Sequence, residues 1–387
     1  MSAWRECKLG DLLQIKHGFA FLGEHFASTG THIVLTPGNF YEEGGFKEKI
    51  NKAKWYNGPI PDDYILNEGD LIIAMTEQAE GLLGSSAIIP RSGLYLHNQR
   101  LGLVKILDQA QADKHFIYYL FNSGPVRQQI RASATGVKIR HTAPSRIAVV
   151  KVNIPSLPMQ QRIAGILAAY DELIENSRRR IWILEKMART LYHEWFVRFR
   201  FPGYEKVKMV SSPLGKIPEG WEVRKLGDIL ELNYGKALKK EKRRNGPFPV
   251  LGSSGIVGYH DECLIDGPGI IIGRKGNVGS VFWCDQDFFV IDTAYFVTST
   301  LPLRFLFYVL PTLNLINSDA AVPGLNRNQA YSLKTLIPPT ALLIRFCELA
   351  DTFECQASVL QCQIKNLRQT RDLLLPRFLS GQIEAKL

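Results

Sequence analysis

The chain has 387 residues, 45% hydrophobic and 22% charged, with 32 Gly and 20 Pro, which excludes collagen-like and low-complexity chains and suits two to three globular domains. No apolar run reaches the ~18 residues of a membrane span, and Glu6 and Asp11 stand where a secretory leader would be apolar, so an intracellular, cytoplasmic protein is expected. A net charge of +10 points to a polyanionic partner, although the excess is thin everywhere: +3 over residues 1–157, +4 over 158–212, +2 over 213–338 and +1 over 339–387.

The chain opens on Trp4-x-x-Cys7-Lys8-Leu9-Gly10-Asp11. Short apolar runs bounded by turn residues then predict strands at Leu71–Met75, Ser86–Ile89 and Leu101–Val104, followed by a short helix at Phe116–Phe121. A long helix follows over 158–200. Its apolar seam is Leu167, Tyr170, Ile174, Ser177, Ile181, Leu184, Ala188, Leu191 and Trp195, in alternating steps of 3 and 4. Phe201–Gly220 has the Pro, Gly and Ser content of a linker.

Then the pattern recurs. Trp221-x-x-Arg224-Lys225-Leu226-Gly227-Asp228 repeats the opening at an offset of 217. Strands are expected at Ile270–Gly273, Gly279–Trp283 and Phe289–Ile291, and a short helix at Phe305–Leu310. A second seam runs Ala350, Phe353, Ala357, Leu360, Ile364, Leu367, Arg371, Leu374 and Phe378, each 183 residues after its counterpart. The falling offset places extra residues in the first copy, chiefly between Phe40 and Asp70. Polar Ser177 and Arg371 are read as setting helix register. Cys347, Cys355 and Cys362 are read as packing residues. Pro376 is expected to kink or end the second helix. None of the six cysteines forms a C-x-x-C pair, and no metal site is expected.

The fold class that follows is α+β. Two mixed, mostly-β heads (1–157 and 221–338) are separated by two long helices (158–200 and 339–387) with a linker at 201–220. The heads must stand at opposite ends of the helices, so the helices are expected to pair antiparallel, with a pseudo-two-fold internal repeat. A helix of about 40 residues spans ~60 Å, enough to set two binding heads about one turn of DNA apart.

Local clusters of cations and amides mark the candidate DNA contacts. In the first copy they are Lys16, Lys47, Lys49, Lys52, Lys54, Arg100, Lys138 and Arg140, with Trp55 and Tyr56 placed either to stack on bases or to pack. In the second they are Lys236, Lys239, Lys240, Lys242 and Arg243, next to Arg244, and then Ser253, Ser254, Arg274, Lys275, Asn277, Arg327 and Asn328. Arg pairs with guanine and Asn with adenine through two hydrogen bonds each, whereas Lys suits phosphate. Apolar residues beside the seams (Ile163, Ile166, Leu173, Leu343, Leu349) are candidates for docking other subunits or for contacting the chain's own heads.

Taken together, Gly215-Lys216-Ile217-Pro218-x-Gly220-Trp221, Lys225-Leu226-Gly227-Asp228, Pro249-Val250-Leu251-Gly252-Ser253-Ser254-Gly255 and Ile337-Pro338-Pro339 resemble the specificity subunit of a Type I restriction–modification system over essentially the whole chain. The resemblance implies two target recognition domains, each reading half of a bipartite site in double-stranded DNA. It implies helices that act as a ruler and dock two modification (methyltransferase) subunits that methylate adenine, with restriction subunits joining the complex. It further implies that this chain binds no cofactor, and that S-adenosylmethionine, ATP and Mg belong to the partner subunits. The first copy lacks the Ile-Pro-x-Gly lead-in before Trp4, and its 31–70 region diverges from the second.

No phosphate loop, H-E-x-x-H, G-x-S-x-G, methyl-donor loop or Asn/Asp-Pro-Pro-aromatic motif occurs, so no catalysis is expected of the chain itself. The alternative from a different class is a coiled-coil interaction scaffold whose heads bind proteins.

Overall fold

A computed structural model describes residues 4–49, 52–77, 81–136, 139–315 and 324–383. The chain divides into two compact units, Met1–Asn176 with Gln363–Leu387, and Ser177–Cys362.

Both units are built on the same sheet. In the first, four antiparallel strands lie in the order Leu13–His17, Leu101–Ile106, Leu71–Ala74, Ser86–Ile88. In the second the order is Leu230–Tyr234, Ala294–Ser299, Gly269–Gly273, Val281–Cys284. Leu71–Ala74 and Gly269–Gly273 are buried at every position, which is why they read as unbroken apolar runs rather than alternating ones. Each unit also has a smaller sheet containing a parallel pair, His32–Val34 with Tyr95–Leu96 and Phe248–Gly252 with Phe289–Val290. Beside each parallel pair lies an antiparallel strand, Trp55–Tyr56 in the first unit and Gly255–His260 in the second, and the first unit has a fourth strand, Phe26–Ala27, paired with Trp55–Tyr56. Tyr56 is buried there against Phe21, so it packs and is not free to stack on a ligand.

The repeated Lys-Leu-Gly-Asp motif is structural. Leu9 and Leu226 are fully buried, worth about 2 kcal/mol each. Asp11 accepts a hydrogen bond from the Lys8 backbone N–H at 2.8 Å, and Asp228 from that of Lys225 at 3.2 Å. Gly10 and Gly227 are required by close approach: a Cβ would lie 3.0 Å from Ala148 Cβ in one unit and 2.8 Å from Tyr331 Cβ in the other. These neighbours sit on the helices Pro144–Ala148 and Arg327–Ser332, which, like Gly124–Ala132, are too short to announce themselves by period.

The long helices run Leu157–Tyr192 and Thr340–Leu379. Every seam residue is buried or half-buried. Within the first unit the start of one helix lies beside the end of the other, with Leu167 and Phe378 in one core and Arg371 paired with Asp171. Within the second, the end of the first helix meets the start of the second, with Tyr192, Trp195 and Phe196 packed around Phe346. In each unit, therefore, the two helices run antiparallel.

A matched pair of hydrogen bonds joins heads to helices. The Tyr119 hydroxyl, on helix Lys114–Phe121, donates to Asp171 at 2.7 Å. The Tyr308 hydroxyl, on helix Leu303–Val309, donates to Glu354 at 3.0 Å. Burial and then the adjoining carboxylate push both phenols well above their usual range. Burial by itself disfavours the Arg371 charge, but Asp171 and Asp372 more than offset it.

Three expectations are corrected. Pro376 does not end its helix, which continues to Leu379. Its counterpart His193 begins a π-helical turn, His193–Val197, so at this repeat position the first helix changes geometry while the second stays α-helical. Cys347 is buried, but Cys355 and Cys362 are exposed because they fall off the seam. Phe201–Gly220 is no loose linker: Met209–Ser212 and Gly215–Pro218 pair as a hairpin, and Phe201 and Ile217 enter the core beside Trp221.

Candidate nucleic-acid interface

In the second unit, four chain segments meet at the end of the main sheet. The strand Leu230–Tyr234 ends on Tyr234, whose side chain is 52% exposed. Arg274 follows the strand Gly269–Gly273, which lies one strand further on, beyond Ala294–Ser299. Its Nη1 donates to the Asp292 carbonyl at 2.9 Å, and its guanidinium lies 5.0 Å from the centre of the Tyr234 ring. Arg327 opens the helix Arg327–Ser332, which Asn326 caps by accepting from the N–H groups of Asn328 and Gln329. The Arg327 guanidinium lies 5.3 Å from the Tyr234 ring centre, and its Nη1 is 3.4 Å from the Leu232 carbonyl. A β-bridge between Lys275 and Gly324 ties the two loops together.

Around this core, Asn277 donates to the Ser254 hydroxyl at 3.3 Å, bringing the 252–255 turn to the same face. Tyr295 packs against Tyr234 with ring centres 5.0 Å apart, and burial, then its hydrogen bond to Tyr234, pushes its phenol up to about 12. Among the described residues, no carboxylate pairs with Arg274 or Arg327. Two guanidiniums held over an aromatic ring, with unused N–H donors and no counter-charge, form a site for paired acceptors on an anion or a base edge.

The structure thus unites Ser254, Arg274, Lys275, Asn277 and Arg327, five candidates spread over more than seventy residues of sequence. Asn328 is exposed on the same short helix. Ser253 is buried, with its N–H facing Thr293 and its carbonyl accepting from Ser280, so it shapes the turn and offers nothing to a ligand. Arg243 donates to the carbonyls of Val257 and Leu238 and pins the adjacent hairpin. Arg244 is neutralised by Asp261 and Glu262. The basic run therefore presents four exposed cations: Lys236, Lys239, Lys240 and Lys242.

The first unit spends more of its cations internally. Lys16 is held by Asp63 and lies over Tyr64. Lys47 lies over Tyr41 and Lys54 over Phe26. Arg140 faces Glu77 at 3.9 Å. Lys49, Lys52 and Arg100 are exposed, and Lys138 lies outside the described residues.

Matching hydrogen bonds align the two units residue by residue. The N–H of Met75 donates to Arg100 and that of Arg274 to Thr293; the N–H of Thr142 donates to Met75 and that of Leu325 to Arg274. Sheet register pairs His17 with Gly102 and Tyr234 with Tyr295. Tyr234, Arg274, Tyr295 and Arg327 therefore correspond to His17, Met75, Gly102 and Pro144. One scaffold carries two different chemistries at the same place.

Of the proposed docking residues, Ile163 and Leu343 are buried in the cores of their own units, and Ile166 is half-buried against one. A helix starting beneath a sheet must bury its first turns there, so these three face their own heads. Leu173 and Leu349 stay exposed, at 53% and 38%. Sequence reasoning missed exposed Trp182, Ile183 and Met187, and it missed Tyr234, whose signal was an aromatic residue closing a repeated strand. Among the described residues, Cys263, Asp266 and Asp287 form one group with metal-ligand geometry; all are at least partly exposed, and Asp287 already accepts from the Gly267 N–H. No described helix is long and apolar enough to cross a membrane.

A family model for the Type I restriction modification DNA specificity domain matches residues 1–186 and 218–337. The chain is 26% identical to the Type I restriction enzyme MjaIX specificity subunit of Methanocaldococcus jannaschii, over 74% of this chain and 72% of that one. It is 28% identical to the EcoprrI specificity subunit of Escherichia coli, over 79% of this chain and 83% of that one. Its architecture matches the crystal structure of a Type I restriction–modification S subunit from M. genitalium, with a TM-score of 0.61 and 18% identity, covering 98% and 96% of the two chains.

Proposed function

The chain belongs to the Type I restriction–modification DNA specificity family, and from that premise we propose that it directs a methyltransferase to a split DNA sequence, one half-site per unit. The observation that carries this reading is a set of equivalent backbone positions with unlike side chains: Tyr234, Arg274 and Arg327 in one unit, and exposed His17, buried Met75 and half-buried Pro144 in the other. A repeat kept for stability alone has no need to exchange a cationic cluster for an apolar pair at matched positions, whereas a two-part reader does.

In this reading the helices, 36 and 40 residues long, span ~54 and ~60 Å and set the gap between half-sites. Exposed Leu173, Trp182, Ile183, Met187 and Leu349 offer apolar surface for two modification subunits, and restriction subunits join that assembly. S-adenosylmethionine, ATP and Mg serve the partners, while this chain contributes recognition and no bond-making step.

The test is a base-resolution map of adenine methylation in cells holding the modification subunit, with and without this chain. A single split motif that disappears with the chain is the expected result. Exchanging residues 31–157 for those of a relative should then alter one half of the motif only. An unchanged map with an active methyltransferase overturns the reading in favour of an interaction scaffold.

A further inference from the structure

We propose that Arg274 and Arg327, held against Tyr234, read guanine in the half-site bound by the second unit; the inference rests on the DNA-recognition reading above. Three observations carry it. First, both guanidiniums are fixed: each lies over the Tyr234 ring, and each spends one Nη on a backbone carbonyl, Asp292 for Arg274 and Leu232 for Arg327. The remaining N–H donors are left in a set geometry, as two-point pairing with guanine O6 and N7 requires. Second, no carboxylate among the described residues competes for them, while Arg243 and Arg244 are consumed by carbonyls and carboxylates. Third, the equivalent positions of the other unit hold Met75 and Pro144. A phosphate contact is the same for every sequence and would suit both units alike; a base contact has to change with the half-site. The exposed lysines Lys236, Lys239, Lys240 and Lys242 are the flexible point charges that suit phosphate instead.

The experiment uses the full chain reconstituted with its modification subunits. The wild-type methylation map should contain guanine in the half-site that changes when residues 221–338 are exchanged. R274K and R327K keep the charge but lose the planar fork. Each should relax one guanine position of that half while leaving the other half intact. R274A and R327A should weaken binding to the cognate duplex about 5- to 150-fold. A half-site without guanine overturns the proposal. So does a uniform loss of affinity across all sequences with a reduced salt slope, which would make the pair a phosphate clamp, and so does an unchanged map in all four arginine variants. A wild-type chain that changes no methylation motif brings down the recognition reading itself, and this proposal with it.

Discussion

His97 shows how one buried residue couples the first unit to pH. Its side chain is fully buried; Nε2 donates to the Leu101 carbonyl at 3.0 Å, and Nδ1 has no partner among the described residues. Burial, with Lys16 and His17 nearby, lowers its pKa to about 4 from an ordinary 6.5. The unfolded chain therefore takes up the proton first as pH falls. The stability His97 contributes is whole above pH 6.5 and drains away as pH falls through the window from 6.5 to 4, by on the order of 3 kcal/mol. Denaturant unfolding of the purified chain at a series of pH values should show that slope in the wild type and a shallower one in H97N. Equal slopes would mean that another group carries the proton. Arg243 makes a related point. By composition it belonged to a basic cluster, yet its partners are carbonyls of its own unit.

Heads and helices are joined by the same bond twice. Tyr119 reaches Asp171 and Tyr308 reaches Glu354, from equivalent short helices to equivalent helix positions. A hydroxyl donating to a carboxylate is worth about 1.5–3 kcal/mol, and the half-exposure of both carboxylates argues for the lower end. Y119F and Y308F should each destabilise the chain by about 1–2 kcal/mol in thermal unfolding. The two pairs share no partner, so the double variant should show the sum; a sub-additive loss would mean that the two bonds are coupled. The seam itself was legible because a 3.5-residue period survives any local disturbance. The fate of Pro376 was not. Whether a proline ends a helix depends on what re-satisfies the freed carbonyl, and packing decides that.

At the scale of the molecule, the chain carries a modest +10, and only part of that charge is available to a ligand. Lys236, Lys239, Lys240 and Lys242 are exposed on one loop. Replacing all four by Gln should weaken DNA binding evenly across sequences and reduce the slope of log K against log salt by about 0.9 for each phosphate that is no longer neutralised. The methylated motif should stay the same. A changed motif would place base readout in that loop and move it away from the face around Tyr234.

The repeat, the antiparallel helices, the β-rich heads and the family were all legible in the amino-acid order. Each rests on a local, periodic or duplicated signal: Lys-Leu-Gly-Asp twice, two seams 183 residues apart, and strands read from runs such as Ile270–Gly273. Which cations are free was settled by tertiary packing. Lys16 and Arg140 look like Arg274 and Arg327 in sequence, but Asp63 and Glu77 hold the first two, and no carboxylate among the described residues holds the others. Nor could the sequence bring Tyr234, Arg274 and Arg327 together, because segments up to 93 residues apart meet only once the sheet has closed. Charge is a property of a residue, but availability for binding is a property of its neighbours, and long-range pairing chooses those.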